Sequence, residues 1–380
     1  MARFRFTCSL VTEMSVAVGM AVVLGIVVPA QAGPTFSVTN LITNNQSDNQ
    51  AQITDPNLVN PWGVSFGPKT PLWVSNEGTG LASLYNISTS DQVSIVTNPN
   101  LFPVKIQGGE VTGQFFNPSS TAFNGDPFVF VTLGGAVEGW RPALGNTAEV
   151  LSLANSANSY DGTTLVTVNG NEYLLAANTK SGNIDVLNGT AGQPGLSGNF
   201  KDPNLPTGFV PYNVQVLNGV VYVTYEQPGK AGGIVDAFST SGNFLARVGT
   251  GGSLDQPWGL AIAPTSFGHL AGDLLVGNKG SGEISVFNLT NDTALGTLNG
   301  TNGSPIVIQD LWSLTIGNGT DAGSTQQIYF TAGTGGYKDG LLGDIQLSSV
   351  PEPSTAVLAL IALGVLTGRW HWKKRRGVNS

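Results

Sequence analysis

Six copies of one hydrophobic and polar pattern fill most of the chain. The two best-preserved copies, residues 61–88 and 257–290, each read Pro-Trp-Gly, an apolar run, a turn, an apolar run ending in Asn, a Gly-rich turn, and a third apolar run ending in an aromatic residue and Asn. The other copies vary this pattern and occupy residues 117–144, 160–190, 211–240 and 311–347. Short apolar runs bounded by Gly and Asn predict β-strands, and no window in the repeats has the period of a helix.

The spacing of the copies predicts an all-β, six-bladed β-propeller. Their starts lie about 43 to 57 residues apart, which is typical of a propeller blade of three or four strands. One blade has two apolar faces and cannot bury both alone, so six blades must pack around an axis and close into a ring. We expect residues 36–43 to form the strand that completes the last blade, beside residues 343–347.

Residues 1–32 have the pattern of a secretory signal peptide. Arg3 and Arg5 precede an unbroken run of small and apolar residues at 15–28, and Ala30 and Ala32 are the small residues before the cleavage site. The apolar run is short for a permanent membrane span. We therefore expect signal peptidase to cut after Ala32, so that the propeller domain comprises residues 33–349.

The C-terminal end combines a short apolar segment, residues 355–368, with a cluster of cations. By the positive-inside rule these cations stay on the cytoplasmic side, which predicts a stop-transfer anchor in the inner membrane. The alternative is a C-terminal core helix, but such a helix has no use for five cations at its end. The cations are Arg369, Lys373, Lys374, Arg375 and Arg376.

A Pro-Glu-Pro sequence precedes this apolar segment, so three parts follow one another in order: Pro351, Glu352 and Pro353, then the apolar segment, then the basic end. Residues 350–376 resemble the PEP-CTERM sorting signal of Gram-negative bacteria. The resemblance implies that a membrane-embedded exosortase recognises the Pro-Glu-Pro sequence, removes the anchor, and passes the protein to the cell surface or the extracellular matrix.

The repeats carry a family resemblance of their own. The Pro-x-Gly starts and the Gly-x-Ile-x-Val-Phe ending at residues 282–287 resemble NHL-type propeller repeats. With its opening at residues 55–63 and its sorting tail, the whole chain resembles a family of uncharacterised PEP-CTERM proteins with no established activity. The resemblance implies a fold and a destination, and it implies no mechanism.

Charge and composition exclude several classes of function. The formal net charge is −8, but the signal peptide and the residues after Pro353 hold seven of the 16 cations and one of the 24 acidic residues, so residues 33–353 carry −14. Such a domain repels phosphates, which argues against nucleic-acid binding. The one cysteine, Cys8, lies in the signal peptide, and His269 is the only histidine of the domain. Disulfides, Cys-ligated metals and multi-histidine centres are therefore excluded.

Two sets of repeated residues are candidates for a ligand-binding face. Four aromatic residues hold equivalent positions in four copies and either stack on a sugar or wedge between adjacent blades. Three asparagines end the second strand of three copies and either form the following turn or bind a neutral polar ligand at one face. The aromatic residues are Trp62, Tyr212, Trp258 and Trp312, and the asparagines are Asn76, Asn178 and Asn278.

Carboxylates in predicted loops are candidate ligands for calcium. Asp48, Asp55 and Glu77 supply the oxygen ligands that calcium prefers. The chain contains no D-x-D-x-D-G sequence, and loop aspartates more often form turns than bind metal. We therefore expect no cofactor and retain calcium as an alternative.

Two hypotheses of function follow. The first is a secreted, non-enzymatic propeller that binds a polysaccharide, a matrix component or an envelope protein. It rests on the sorting tail, the polar loops and the scarcity of catalytic residue types. The second is a divalent-metal propeller hydrolase or lyase, similar to lactonases, which would use carboxylates to hold its metal. Likeness of fold alone supports this second hypothesis.

Overall fold

The computed structural model describes residues 33–348, which form six antiparallel sheets, one for each blade of a six-bladed β-propeller. The all-β fold is confirmed. The predicted signal peptide and sorting signal lie outside the described residues. No helix among residues 33–348 is long and apolar enough to cross a membrane.

The strands of the first three blades follow one another along the chain, and each blade begins with its innermost strand. An outer strand and a short pairing segment come first: β1 (Thr35–Thr43) and β2 (Ile53–Thr54). Blade 1 contains β3 (Pro61–Ser65), β4 (Leu72–Asn76), β5 (Leu81–Ile87), β6 (Val93–Ile95) and β7 (Val104–Lys105). Blade 2 contains β8 (Val111–Phe116), β9 (Phe128–Thr132), β10 (Val137–Trp140) and β11 (Glu149–Ser152). Blade 3 contains β12 (Tyr160–Val168), β13 (Asn171–Asn178) and β14 (Asn183–Asn188).

The remaining blades repeat this order. Blade 4 contains β15 (Val210–Leu217), β16 (Val220–Glu226), β17 (Ile234–Ser239) and β18 (Phe244–Thr250). Blade 5 contains β19 (Pro257–Ile262), β20 (Leu274–Asn278), β21 (Ile284–Asn288) and β22 (Thr293–Thr297). The short β23 (Asn299–Gly300) that follows pairs with β1 and belongs to the sheet of blade 6. Blade 6 contains β24 (Leu311–Ile316), β25 (Ile328–Ala332) and β26 (Leu341–Leu347). Helical segments among residues 33–348 are Ala122–Gly125, Pro142–Leu144, Thr265–Leu270 and Thr334–Tyr337.

The ring closes through β1, as the sequence predicted. β1 pairs antiparallel with β26 from Phe36 opposite Leu347 to Thr43 opposite Leu341. The N-terminal strand is thus the outermost strand of blade 6, and Phe36, Leu41 and Ile42 are buried there. This pairing joins the two ends of the described chain within one sheet.

The boundaries of blade 2 differ from the sequence interpretation. The copy at residues 117–144 omits the innermost strand β8, which begins at Val111. The strand was missed because blade 2 has Val-Thr-Gly where the best copies have Pro-Trp-Gly. Its pairing with β9 nevertheless begins as in blade 1, with Val111 opposite Thr132 as Pro61 is opposite Asn76.

Glycine allows the inner strands of neighbouring blades to approach closely. A Cβ atom on Gly63 would lie 2.7 Å from the carbonyl oxygen of Thr112, and one on Gly113 would lie 2.6 Å from the amide nitrogen of Thr163. Both contacts are with the backbone of the next blade, which cannot move without shifting that blade. The glycine of the repeated Pro-x-Gly start is therefore required by the packing of the ring.

Candidate functional site

The second residue of every inner strand occupies an equivalent position in the six blades. In all six blades the pairing between first and second strands shifts at this residue, which indicates a β-bulge. A bulge redirects the side chain of the extra residue. The six residues at this position are Trp62, Thr112, Asp161, Tyr212, Trp258 and Trp312.

The four aromatic members of this set form one buried group, which we call the axial aromatic cluster (Trp62, Tyr212, Trp258 and Trp312). The rings of Trp62 and Trp312 stack with centroids 3.6 Å apart. Trp258 meets both of them edge-on, at 6.2 and 5.9 Å. The four side chains are only 2–6% exposed, so the cluster packs as a hydrophobic core on the axis.

The sequence analysis placed these four residues at equivalent positions, which the strand register supports. Its structural alternative, in which these large residues wedge between adjacent blades, stays a prediction. The bulges direct the rings to the axis, where residues of blades 1, 4, 5 and 6 contact one another. Stacking on a sugar stays a prediction, since the ring faces are covered by protein in this state.

The three candidate asparagines are buried and fix the turns between the second and third strands. The Nδ2 of Asn76 donates to the Ser83 hydroxyl of the third strand at 2.9 Å, and that of Asn278 donates to Ser285 at the same distance. The Nδ2 of Asn178 donates to the Asp185 carboxylate at 2.8 Å. These bonds occupy the amides in structural contacts, and a role in ligand binding stays a prediction.

The candidate metal ligands are dispersed. The carboxylate of Asp48 accepts a bond from Asn45, that of buried Asp55 accepts one from the Tyr85 hydroxyl at 2.7 Å, and that of Glu77 accepts one from Asn60 at 2.7 Å. Within residues 33–348, no three His, Cys, Asp or Glu side chains converge as a metal centre would require. The structure therefore does not bring these three carboxylates together, and a calcium role for one of them stays a prediction.

A cavity of about 450 Å³ lies on the axis beside the cluster, with Trp258 in its wall. The inner strands of the blades line it, and we call it the central cavity. Its polar lining consists of hydroxyl and amide side chains from five blades, and its apolar lining includes three phenylalanines, one of which, Phe115, is buried. The polar residues are Ser65, Gln114, Thr163, Thr164, Asn213, Gln215, Ser313 and Thr315, and the phenylalanines that are partly exposed are Phe66 and Phe116.

No charged residue lines the central cavity. The titratable groups of the axis lie instead where the inner strands begin, at the end that carries the aromatic cluster. There the ammonium group of Lys279 lies over the rings of Trp312 and Tyr337, 6.0 and 5.3 Å from their centroids. Burial raises the pKa of Glu226, an effect that the charge of Lys279 opposes. The two ends of the axis therefore differ in chemistry.

Asp161 is the one acidic side chain at the axial position. Burial, opposed by the hydroxyl of Thr179 and assisted by the charge of Glu226, raises the pKa of Asp161 to about 7. Its carboxylate accepts a bond from the Thr179 hydroxyl at 2.8 Å. Because the folded state prefers the neutral acid, Asp161 stabilises the fold fully below about pH 4 and loses this effect as the pH rises through 7.

Replacing Asp161 with Asn is expected to remove this pH dependence. Between pH 4 and pH 8 the free energy of unfolding of the unaltered protein should fall, relative to Asp161→Asn, by up to about 4 kcal/mol. Urea denaturation at a series of pH values measures the difference, and Asp292→Asn, at an exposed position, serves as the control. A constant difference between the two proteins across this range would contradict the account.

The sequence reasoning missed the central cavity. Its lining residues are single Ser, Thr, Asn and Gln side chains inside otherwise apolar strands, such as Asn213 and Gln215 in β15 and Ser313 and Thr315 in β24. Polar residues two apart in a strand share one face. That alternation within the innermost strands was the available signal.

Comparisons with known proteins concern the C-terminal end of the chain, its sequence over most of its length, and its fold. The family defined as the PEP-CTERM protein-sorting motif matches residues 349–376. The chain carries a PEP-CTERM sorting signal. This motif is a sorting signal processed by exosortase, and it indicates a protein that is exported, membrane-anchored and surface-sorted in Gram-negative bacteria.

Most of the chain also has relatives by sequence. Two uncharacterised proteins of Acanthamoeba polyphaga mimivirus are 28% identical over 341 residues and 26% identical over 343 residues. Each alignment covers 83% of this chain, and they cover 82% and 87% of the viral proteins. These viral proteins are similar to this chain over most of its length, and their names assign no activity.

Among solved structures, a streptogramin B lyase is similar in fold. Its TM-score is 0.51 at 12% sequence identity, and the match covers 82% of this chain and 97% of the lyase. At this identity the likeness shows the propeller fold and nothing about the reaction. The specific assignment of NHL repeats stays a prediction.

Proposed function

We propose that this surface-sorted propeller is a non-enzymatic binding protein whose central cavity takes a neutral, hydroxyl-rich ligand, such as a glycan of the envelope or exopolysaccharide matrix. One observation carries the proposal: the walls of the cavity present hydroxyl and amide groups and no charge. A volume of about 450 Å³ lies in the range of small-molecule sites.

The lining chemistry fits a sugar in two respects. Serine, threonine, asparagine and glutamine side chains both donate and accept hydrogen bonds, as sugar hydroxyls do. Phe66 and Phe116 add aromatic surface beside them, against which the apolar C–H face of a sugar ring packs. An anionic or cationic ligand would lose its hydration in this cavity without gaining a charged partner.

The same lining offers no group for acid–base chemistry. General acids and bases in enzymes are titratable side chains within reach of the substrate, and the residues that line the central cavity include none. His269 is exposed, in the helical segment Thr265–Leu270, and does not line the cavity. The divalent-metal hydrolase of the second hypothesis has no specific observation in its favour within the central cavity.

Processing completes the proposed role. Signal peptidase would cut after Ala32, and exosortase would act at Pro351, Glu352 and Pro353, so that residues 33–349 reach the surface without the anchor. The domain would then bind polysaccharide, or an envelope protein that carries it, and act as a scaffold in the matrix.

Isothermal titration calorimetry with neutral and uronic-acid-containing exopolysaccharide oligosaccharides tests the proposal. The neutral oligosaccharides are expected to bind, and Gln215→Glu is expected to weaken their binding at least tenfold, because it replaces an amide donor of the cavity with a charge. Gln50→Glu, at an exposed position, is the matched control and should bind as the unaltered protein does.

Two results would overturn this function. Equal affinity of the Gln215→Glu and Gln50→Glu variants would place the ligand outside the central cavity. Release of new reducing ends during incubation, at a rate abolished by a carboxylate substitution, would show that the protein is an enzyme.

A further inference from the structure

An aspartate is buried without a partner at the seam where the last blade meets the first. Asp344 lies within β26, opposite Thr39 of β1 and Tyr329 of β25. It is 0% exposed, and neither carboxylate oxygen has a donor in good hydrogen-bond geometry, although the nearby Thr39 hydroxyl opposes the rise in its pKa. Buried carboxyl groups are normally hydrogen-bonded, paired with a cation or bound to a metal, because desolvation of the charge is otherwise unfavourable.

A second carboxylate, Asp91 of blade 1, bonds to the side chain of Tyr329, the cross-strand neighbour of Asp344. Asp91 lies in the turn between β5 and β6, and its two oxygens accept bonds from the Tyr329 hydroxyl at 3.0 Å and from the Gln327 amide at 2.8 Å, both in blade 6. Burial, and then the charge of Asp91, raises the pKa of Asp344 to about 7. The salt bridges of residues 33–348 are made by Arg141 and Arg247 and include neither carboxylate.

Neutral oxygen ligands accompany this carboxylate pair. The side-chain oxygen of Gln327 lies 2.9 Å from the Tyr329 hydroxyl and competes with Asp91 for its single proton. The side-chain oxygen of Gln346 accepts a bond from the Gln327 amide at 3.2 Å. Gln327 and Gln346 also line a surface cavity of about 410 Å³, whose lining does not include Asp91 or Asp344. Carboxylate and amide oxygens without nitrogen or sulfur ligands are the set that calcium prefers.

We propose that Asp91 and Asp344, with the side-chain oxygens of Gln327 and Gln346, bind one calcium ion between the first and last blades. The ion would neutralise the two carboxylates and supply the partner that Asp344 lacks. It would also tie blade 1 to β26, the strand that holds β1. Calcium at this seam therefore locks the ring where the chain closes it, on carboxylates other than Asp48, Asp55 and Glu77.

The test uses the full chain in mild detergent, stripped with EDTA and titrated with calcium chloride at pH 8. Calcium is expected to raise the melting temperature and to bind at one equivalent per chain by calorimetry. The two variants Asp344→Asn and Asp91→Asn should each bind calcium at least tenfold more weakly. In EDTA, Asp344→Asn should melt above the unaltered protein, because it removes a buried charge without creating a cavity.

Asp236→Asn is the matched control, since Asp236 is likewise fully buried in a third strand and has one unpartnered oxygen, but it is paired with Arg247. Its calcium response should be unchanged. Absence of a calcium-dependent shift in the unaltered protein, an undiminished shift in Asp344→Asn, or an equal shift with magnesium at the same concentration would each overturn the proposal. Should Asp344→Asn fail to fold, Asp91→Asn on the surface turn decides the matter.

Discussion

Deletion of Thr35–Thr43 is expected to abolish cooperative folding of the propeller. The deletion removes β1, and with it three buried side chains, Phe36, Leu41 and Ile42. Each contributes about 1.5–3 kcal/mol when fully buried, so the loss is on the order of the 5–15 kcal/mol that stabilises a typical domain. The deletion also leaves β26 as an unpaired edge with its apolar face open, which favours aggregation.

A circularly permuted variant distinguishes the effect of losing the β1 strand from the effect of shortening the N-terminus. The amide of Ser348 donates to the Thr35 carbonyl at 2.8 Å, so the start of β1 lies beside the end of β26. Residues 35–43 placed after Ser348 through a short hairpin linker should restore pairing and a single urea transition. Cooperative unfolding of the deleted chain, or no recovery in the permutant, would show that β1 does not close the ring.

Trp312→Ala is the point substitution with the largest expected effect. Trp312 stacks on Trp62, meets Trp258 and Tyr212 edge-on, and donates its indole N–H to the Asn60 side-chain oxygen at 3.0 Å. Truncation to Ala leaves a cavity in the axial aromatic cluster and removes the partner of Asn60. The free energy of unfolding should fall by about 3–5 kcal/mol, which urea denaturation measures.

Two further variants show whether the loss of unfolding free energy comes from the aromatic stacking of Trp312. Trp312→Phe keeps part of the stacking and should lose less than Trp312→Ala, whereas Leu153→Ala, at a position 80% exposed, should change the free energy by less than about 0.5 kcal/mol. A loss of less than 1 kcal/mol in Trp312→Ala would mean that the cluster does not hold the blades together at the axis.

The propeller architecture was predictable because each blade repeats the same sequence pattern. A Pro-Trp-Gly start, an Asn at the end of the second strand and a fixed strand order recur in blades 1 and 5, and six such units can bury their faces only in a ring. The same argument led to β1, since the last copy lacks an outer strand. Blade 2 was placed too late because Thr112 occupies the position of Trp62, which changed the pattern while keeping the backbone register.

The candidate site was less predictable, for a physical reason. The sequence shows which residues repeat, and repetition marks the positions that packing requires, such as the four axial aromatics and the three turn asparagines. The residues that line the central cavity differ from blade to blade, as Gln215 and Thr315 do. They meet only when the inner strands converge on the axis. Likewise, Asp91 and Asp344 are brought together by ring closure across most of the chain.

The most direct test of the central claim is a crystal structure of the protein with a neutral exopolysaccharide oligosaccharide that it binds. The account predicts sugar density in the central cavity, with hydroxyls within hydrogen-bonding distance of Gln215 and Thr164 and a sugar face against Phe66 or Phe116. Density confined to the opposite end, over Lys279 and Tyr337, or to the outer face of a blade, would contradict it.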